Sequence, residues 1–248
     1  MKPIKNTSQS GPTKPAKSKL SRLRLFWEKI ASNRKVLPIT IIAGFVLCIL
    51  IQQFNLVDQY LQIIIMFVGI NIILTVSLNL INGYMGEFSV GHAGFMAVGA
   101  YVSASLTMYV IPTWLGPWTF PLVVLAGGVF AGLISLLVAI PSFRTRGDYL
   151  AIVTLAFLMI VKSVIENIEV IGGPRGIPGI DKLTTLPWVY FWTVASVLLI
   201  RNFVYSKFGR GVLSIREDEI ASNLMSVNTK QVKLQAFIIS SFFAGVAG

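Results

Sequence analysis

Long apolar runs, separated by short polar stretches, dominate the pattern of this 248-residue chain. Several runs approach or exceed the ~18 apolar residues that an α-helix needs to cross a bilayer. The apolar residues are continuous within each run and do not alternate with polar ones, which excludes a transmembrane β-barrel. The pattern predicts membrane-spanning helices at Val36–Phe54, Tyr60–Ile81, Gly91–Ile111, Phe120–Ile140, Tyr149–Ile165, Trp188–Val204 and Val232–Gly248.

The composition agrees with a chain that lies mostly in lipid. Hydrophobic residues make up 54% of the chain, its mean hydropathy is +0.74, and 12% of its residues are charged. A soluble domain of this size carries about twice that share of charged residues. We therefore expect an all-α fold, a polytopic transmembrane helical bundle.

Basic residues are concentrated at the N-terminus. The net charge is +11, and ten of the 21 Lys and Arg lie in residues 1–35, before the first apolar run. This distribution argues against nucleic acid as a partner. The polar, Lys/Ser/Pro-rich tail is expected to be partly disordered and to be attracted to an anionic cytoplasmic leaflet. Its end, Leu20–Ile30, is interpreted either as a short interfacial helix or as part of a solvated tail that fixes topology. Residues 36–248 form the transmembrane domain.

The loops between the spans differ in charge according to which side they fall on. If the N-terminus is cytoplasmic, the inner segments hold 17 basic residues and the outer segments hold two. The inner segments are 1–35, 82–90, 141–148 and 205–231, with Arg201 counted at the membrane edge. The outer segments are 55–59, 112–119 and 166–187. Basic residues favour the cytoplasmic side of a membrane. The expected protein is a multi-pass membrane protein with a cytoplasmic N-terminus.

A polar, glycine-rich stretch, "LNLINGYMGEFSVGHAGF", interrupts the apolar pattern between the second and third spans. Each glycine weakens a helix interior by roughly 1 kcal/mol relative to alanine, so the stretch predicts a broken or re-entrant segment. Exposed backbone groups at membrane depth are tolerated where they line a cavity or are covered by protein, and broken helices line substrate paths in transporters. The candidate path residues are Asn79, Asn82, Gly83, Gly86, Glu87, Ser89, Gly91, His92 and Gly94.

Two ionisable residues of this stretch allow more than one interpretation. Glu87 would either face a cavity, pair with a cation, or be a solvated loop acid near the inner membrane edge. His92, the chain's one histidine, would bond either a substrate carboxylate or a neighbouring helix. With no second histidine or cysteine nearby, it does not indicate a metal site.

A second informative stretch lies in the long inner loop. Ser214 and Glu217 have the spacing of a capping box, and acids follow where a helix N-terminus favours them. This predicts one short amphipathic helix over about residues 215–227 on the inner membrane surface. It would either merely join two spans or dock a cytoplasmic partner. The candidate docking residues are Arg216, Glu217, Asp218, Glu219, Ile220 and Leu224.

The chain lacks the common signatures of an enzyme. It has no Walker-type phosphate loop, no zinc-binding spacing and no G-x-S-x-G, and "GGPRGIPGI" has no lysine in the position a phosphate loop requires. We expect no catalytic residue, no metal and no cofactor. The last apolar run stops at "SSFFAGVAG" without a polar flank, so we also expect that further helices follow in the complete protein.

Three blocks of the chain resemble the membrane subunits of bacterial ABC importers for branched-chain amino acids. They lie, in matching order, within most of residues 78–248: "LNLINGYMGEFSVGHAGFMAVGAYVSA", "RTRGDYLAIVTLAF" with "GGPRGIPGI", and "SKFGRGVLSIREDEIASNLMSVNTKQVKLQAFIISSFFAGVAG". The resemblance implies a helical permease that pairs with a second permease subunit. It also implies two cytoplasmic ATPase subunits and an extracytoplasmic substrate-binding protein as partners.

In that family, the segment similar to Arg216–Val227 inserts into the ATPase as a coupling helix. The family more often has alanine, glutamate and glycine where this chain has Ser222, Asn223 and Ser226. The alternatives to branched-chain amino-acid import are a related ABC permease for urea or short amides and a stand-alone secondary transporter or channel.

Overall fold

A computed structural model describes residues 36–54, 57–109, 119–143, 149–180 and 183–248. These residues form helices and connecting turns, and none of them lies in a β-strand, so the fold is all-α as predicted. The α-helices are α1 Val36–Phe54, α2 Gln59–Asn79, α3 His92–Tyr109, α4 Phe120–Ser142, α5 Tyr149–Asn167, α6 Leu186–Tyr205, α7 Lys207–Glu217, α8 Glu219–Leu224 and α9 Thr229–Ala247. The basic tail and the helix considered at Leu20–Ile30 lie outside the described residues.

A helix occupies each of the seven stretches predicted to span the membrane, with ends that differ by at most three residues from the predicted ones. By length and composition, four helical stretches can cross a bilayer: Gln59–Met85, Phe120–Ser142, Tyr149–Asn167 and Leu186–Tyr205. In α1, Pro38–Phe54 is a shorter apolar helix. Helices α3 and α9 are not among these four stretches. Eleven residues of α9 are buried, whereas α3 is buried mainly at its start, at His92, Gly94, Phe95 and Gly99.

The described chain falls into two compact units. The first ends at Val46, and its described part is the start of α1. The second unit, Leu47–Gly248, holds the other helices. In it α9 is central, since it packs against α2, α3 and α4, while α2 also packs against α6 and α3 against α5. The final residues of α9, from Phe243 to Ala247, are all buried.

An aromatic cluster forms the core near the middle of α9. The ring of Phe237 meets the rings of Phe95 and Phe143 edge-on, with centroids 5.6 and 5.8 Å apart. Phe95 also stacks on Phe157 of α5 at 4.7 Å. Such edge-to-face and offset-stacked pairs are the geometries that aromatic rings favour. The cluster fixes α3, α5 and the end of α4 around α9, and so positions the segment that precedes α3.

Candidate functional site

Helix α2 does not run directly into α3. Its last turn widens into a π-helical turn, Leu80–Met85, and ends at Gly86, whose φ of +77° lies in the left-handed region. Glycine adopts this conformation without the steric penalty that a Cβ brings, so it ends the helix at this residue. Residues 86–91, called here the break segment, are not helical, and α3 begins at His92. The predicted interruption is therefore present but shorter than the polar stretch of the sequence.

Neighbouring groups accept hydrogen bonds from several backbone amides of the break segment. The amide of Glu87 donates to the carbonyl of Ile81 at 3.3 Å. The amide of Ser89 donates to Asn82 Oδ1 at 3.1 Å, and the amide of Val90 donates to Thr154 Oγ1 at 3.2 Å. Buried or lipid-exposed amides without such acceptors are unfavourable. The break segment is therefore a defined structure held by α5 and by the π-helical turn.

A lysine of α9 binds two carboxylates from different parts of the chain. Lys233 Nζ lies 2.7 Å from Glu87 Oε1 and 2.9 Å from Glu219 Oε2. The lysine side chain is 8% exposed, against 21% for Glu87 and 50% for Glu219. Glu87 belongs to the break segment and Glu219 to α8. Of the three interpretations of Glu87, the structure supports ion pairing.

A second contact joins the same two regions. Arg216 of α7 donates from Nη1 to the carbonyl oxygen of Gly83, in the π-helical turn, at 3.1 Å. The stem of Arg216 also covers Gly86, because a Cβ added there would lie 3.1 Å from Arg216 Cγ. The predicted path residues and the predicted docking residues, which are more than 120 positions apart in the sequence, thus meet at one end of the bundle.

The single helix predicted over residues 215–227 is wrong in its boundaries. Ser214 lies inside α7, and Ser206 caps that helix by accepting from the amide of Gly209. Asp218 ends α7 and begins α8, where its Oδ1 accepts from the amides of Ile220 and Ala221 at 2.8 and 3.0 Å. The predicted capping box is therefore not formed. Aspartate, whose side chain fits an N-cap, divides the region into two helices.

Helix α8 presents apolar side chains to its surroundings. Ile220, Leu224 and Met225 are 75, 81 and 80% exposed. Exposed apolar residues that cluster beside charged ones are typical of interaction surfaces. Arg216, Glu217 and Asp218 are also exposed and adjoin this apolar group. We call these six residues the α8 surface.

The residues after the start of α8 hold the turn that leads into α9. Ser222 is buried and donates to the carbonyl of Asp218 at 2.8 Å. Asn223 Oδ1 accepts from Thr229 Oγ1 at 3.3 Å. Ser226 is the one non-glycine residue of the described chain with a positive φ, 63°.

His92 is buried, 7% exposed, and lies between helices. Its Nε2 is 2.8 Å from Ser77 Oγ of α2. Its Nδ1 has no hydrogen-bond partner among the described residues. Of the two interpretations of His92, the structure contains the bond to a neighbouring helix.

The remaining candidate path residues lie along the break segment and its two flanks. Asn79 is exposed at the end of α2, and Ser89 is buried. Gly91 and Gly94 pack closely on α5, at Thr154 and Phe157. All nine candidates therefore lie within one continuous region.

A cavity of about 420 Å³ opens towards the other end of the bundle. Its walls are mainly apolar and come from α2, α3, α4, α6 and α9, together with the segment before α6. The lining includes four residues that carry hydroxyl groups, Tyr101, Ser103, Thr107 and Thr184. None of the nine candidate path residues lines it, so the cavity and the break segment are separate features.

Lys233 and Ser77 were not among the residues predicted from the sequence pattern to have a functional role. A lysine just inside an apolar run, as in "TKQVKLQAF", is itself a signal, because an ionisable side chain within a membrane helix requires a partner. The identity of its partners could not be read locally, since Glu87 is 146 positions away. Ser77 gave no signal, because serine in an apolar helix is common and bonds its own backbone.

Residues 59–248 match the family model described as the branched-chain amino acid transport system / permease component. The chain belongs to this permease family. The match covers α2 to α9, including the break segment and the α8 surface. Together with the four helices that can cross a bilayer, membership shows that the chain is a multi-pass membrane protein.

Curated relatives in the permease family come from bacteria and an archaeon. The chain is 35% identical, over 215 aligned residues, to the high-affinity branched-chain amino acid transport system permease protein LivM of Escherichia coli, and equally to LivM of Salmonella typhimurium. Each alignment covers 72% of this chain and 49% of the relative. A probable branched-chain amino acid transport permease protein LivM of Methanocaldococcus jannaschii is 23% identical over 226 residues, 76% of this chain and 66% of that relative.

The chain spans about half the length of the two bacterial relatives, because each alignment covers 49% of the relative's residues. No solved structure matches the chain at a significant level.

Proposed function

We propose that this chain belongs to the permease subunit of an ATP-driven importer and forms part of the transmembrane path for branched-chain amino acids. Family membership and the similarity to LivM, a branched-chain amino acid transport system permease protein, support the proposal. The chain itself performs no chemistry. Separate subunits hydrolyse ATP, a second permease subunit completes the path, and an extracytoplasmic binding protein delivers the substrate.

The proposed location is the bacterial inner membrane, with the N-terminus in the cytoplasm. The bias of 17 inner against two outer basic residues supports this orientation. The contacts of Arg216 with Gly83 and of Lys233 with Glu87 and Glu219 are consistent with it, because they join the segments assigned to the inner side. Both the break segment and the α8 surface then face the cytoplasm.

The observation that carries the proposal is the α8 surface. Leu224 and Ile220 are among the most exposed large apolar side chains of the described residues, and both lie on the inner end of the bundle in the proposed orientation. Lipid does not account for them, because they sit beside Glu217 and Asp218 on a capped, polar turn. A cytoplasmic partner with an apolar groove and basic rim would cover both the apolar and the acidic groups. We assign the ATPase subunit to this surface.

The substrate route has two proposed parts. On the outer side, the cavity offers apolar walls with a few hydroxyl groups, which suits an aliphatic side chain on a small polar body. On the inner side, the break segment and its flanks, Asn79 to Gly94, line or gate the exit. ATP binding would move α8 and switch the path between inward- and outward-facing states.

The test is uptake by the full-length protein, assembled with its partner subunits in proteoliposomes. ATP-dependent accumulation of leucine, isoleucine and valine is expected. Accumulation of urea or acetamide in their place would identify the related amide permeases, and uptake without ATPase subunits would identify a stand-alone transporter.

The α8 surface is tested by the double variant Ile220→Asp with Leu224→Asp. Both side chains are exposed, so the change leaves the fold intact. We expect uptake to fall at least about tenfold because the apolar contact with the ATPase subunit is lost. The conservative pair Ile220→Val with Leu224→Met keeps that contact and should retain uptake. Equal uptake by both pairs would contradict the docking role.

A further inference from the structure

The position of Lys233 differs from that of an ordinary interfacial lysine. Its residue is 7% exposed, it lies one turn inside the start of α9, and two carboxylates from separate elements meet on its Nζ. A long cationic side chain at the end of a membrane helix usually extends to water. The Lys233 side chain instead packs inside the protein, so its ion pairs with Glu87 and Glu219 replace the water that would solvate its ammonium group.

The two carboxylates belong to parts of the molecule with different surroundings. Glu219 is half exposed and stands in the first turn of α8, a six-residue helix that packs against α7 and α9. Glu87 is largely covered and lies in the break segment, between Gly86 and Phe88. Lys233 therefore bridges a small surface element and the interruption of a membrane helix.

One cation shared by two anions makes the two contacts depend on each other. If Glu219 moves away, the whole positive charge remains with Glu87, and the pair tightens or shifts. If Glu87 leaves, Glu219 is the remaining partner of a lysine that is otherwise covered. Because an uncompensated covered charge is strongly unfavourable, Lys233 moves with its partners.

We propose that Lys233 is a positioning residue that makes the break segment follow α8. In this role it transmits a displacement of the α8 surface to Glu87, and so changes the conformation of residues 86–91. The role rests on the proposed function, in which a cytoplasmic motor moves α8. The contact of Arg216 with Gly83 holds the adjacent π-helical turn in place, so that the displacement reaches the break segment and not the whole of α2.

The alternative is a static clamp. If the Lys233 ion pairs were only a clamp, breaking them would lower the stability of the protein, but the break segment would not respond to changes made at Glu219. The two roles are separated by observing residues 86–91 directly while the charge of Glu219 is altered.

A nitroxide label on the break segment provides this observation. Cys48 is the one cysteine in these 248 residues, so Phe88→Cys gives a single labelling site once Cys48 and any cysteine elsewhere in the full-length protein are replaced by serine. Phe88 is 61% exposed. The full-length protein is studied in lipid nanodiscs. We expect Glu219→Gln to change the mobility of the label at residue 88. Glu217→Gln is the matched control. It removes the same charge at a position two residues before Glu219, and the exposed side chain of Glu217 makes no ion pair with Lys233 in the described structure.

Dependence on Lys233 is tested by combining the changes. With Lys233→Met present, adding Glu219→Gln should produce no further change in label mobility, because the link is already broken. Lys233→Arg, which keeps the charge and can bind both acids, should preserve the response. If Lys233→Met does not fold, Glu219→Gln at its half-exposed position still decides the question. An unchanged label in Glu219→Gln, or a response that persists in Lys233→Met, would overturn the proposal.

Transport by the assembled complex separates this inference from the proposed function. Lys233→Met should lower uptake by about tenfold while ATP hydrolysis continues, and Lys233→Arg should restore most of it. Glu166→Gln, which removes an acid from the exposed pair with Lys162, should leave uptake unchanged. Full uptake in Lys233→Met would overturn the link but leave the importer assignment standing. If the unaltered complex takes up no branched-chain amino acid, the importer assignment fails, and the label experiment still decides whether the link exists.

Discussion

Gly99 of α3 and Gly245 of α9 touch backbone to backbone. A Cβ built on Gly99 would lie closer to the backbone of Gly245 than real Cβ atoms approach any heavy atom. Small residues permit this approach, and close packing replaces the hydrophobic effect as the force that holds helices together in a membrane. The contact fixes α3 beside the central helix.

The first prediction follows from this contact. Gly99→Ala should lower the free energy of unfolding by about 1–3 kcal/mol, since rigid backbone must shift to admit one methyl group. Thermal unfolding of the full-length protein in detergent measures the change. Gly132→Ala is the matched control, because its Cβ would meet Ile238 Cγ2 at an ordinary 3.6 Å. A control that loses as much stability as Gly99→Ala would contradict the packing argument.

The backbone of Ser226 gives a second prediction. Its φ of 63° is unfavourable for any residue with a Cβ. Ser226→Gly should therefore raise the free energy of unfolding by about 0.5–1 kcal/mol, after allowance for the greater freedom of glycine in the unfolded chain. The measurement is again thermal unfolding in detergent.

Ser226→Ala serves as the control for that prediction. It removes the hydroxyl group but keeps the Cβ, so it should not stabilise the protein. Equal stabilisation by alanine and glycine would show that the hydroxyl group, and not the backbone, is responsible.

The pair formed by Ser77 and His92 gives a third prediction. Ser77→Ala should lower the free energy of unfolding by about 1 kcal/mol, because it leaves both nitrogens of a buried imidazole without a partner. Ser241→Ala is the control: Ser241 is equally buried, but its hydroxyl group has no partner among the described residues. Both changes delete one oxygen from the bundle interior.

A thermodynamic cycle tests whether the effect comes from His92. In the background of His92→Ala, the change Ser77→Ala should have little further effect, because the partner is already absent. If the two losses add fully, the hydrogen bond contributes nothing and Ser77 matters for another reason.

Sequence patterns predicted the helices well and their connections poorly. Continuous apolar runs fix where a membrane helix must lie, since every backbone group in lipid has to be paired within the helix. This is why α1 and α4 begin at the predicted residues Val36 and Phe120. The left-handed glycine that ends α2 was one of several candidates in its stretch, and nothing local distinguished Gly86 from Gly83 or Gly91.

The cap of α8 shows why the inner loop was mispredicted. Ser214 and Asp218 both have the residue type of an N-cap, and both are followed by acids. The choice between them depends on Val212 and Ile215, which are buried against the bundle and extend α7 through Ser214. That burial depends on tertiary packing. So do the partners of Lys233, because Glu87 of the break segment and Glu219 of α8 come together only in the folded chain.

In the proposed assembly, α8 faces the cytoplasm and receives a motor subunit there. The fourth prediction tests this placement with Leu224→Cys in the full-length protein, after Cys48 and any other cysteine have been replaced by serine, since Leu224 is 81% exposed. A membrane-impermeant maleimide should label this cysteine in inside-out vesicles and not in intact cells. Added ATPase subunits should protect it. Labelling of intact cells would place α8 on the outer face, where no nucleotide-driven subunit could reach it, and would rule out docking of an ATPase subunit on α8.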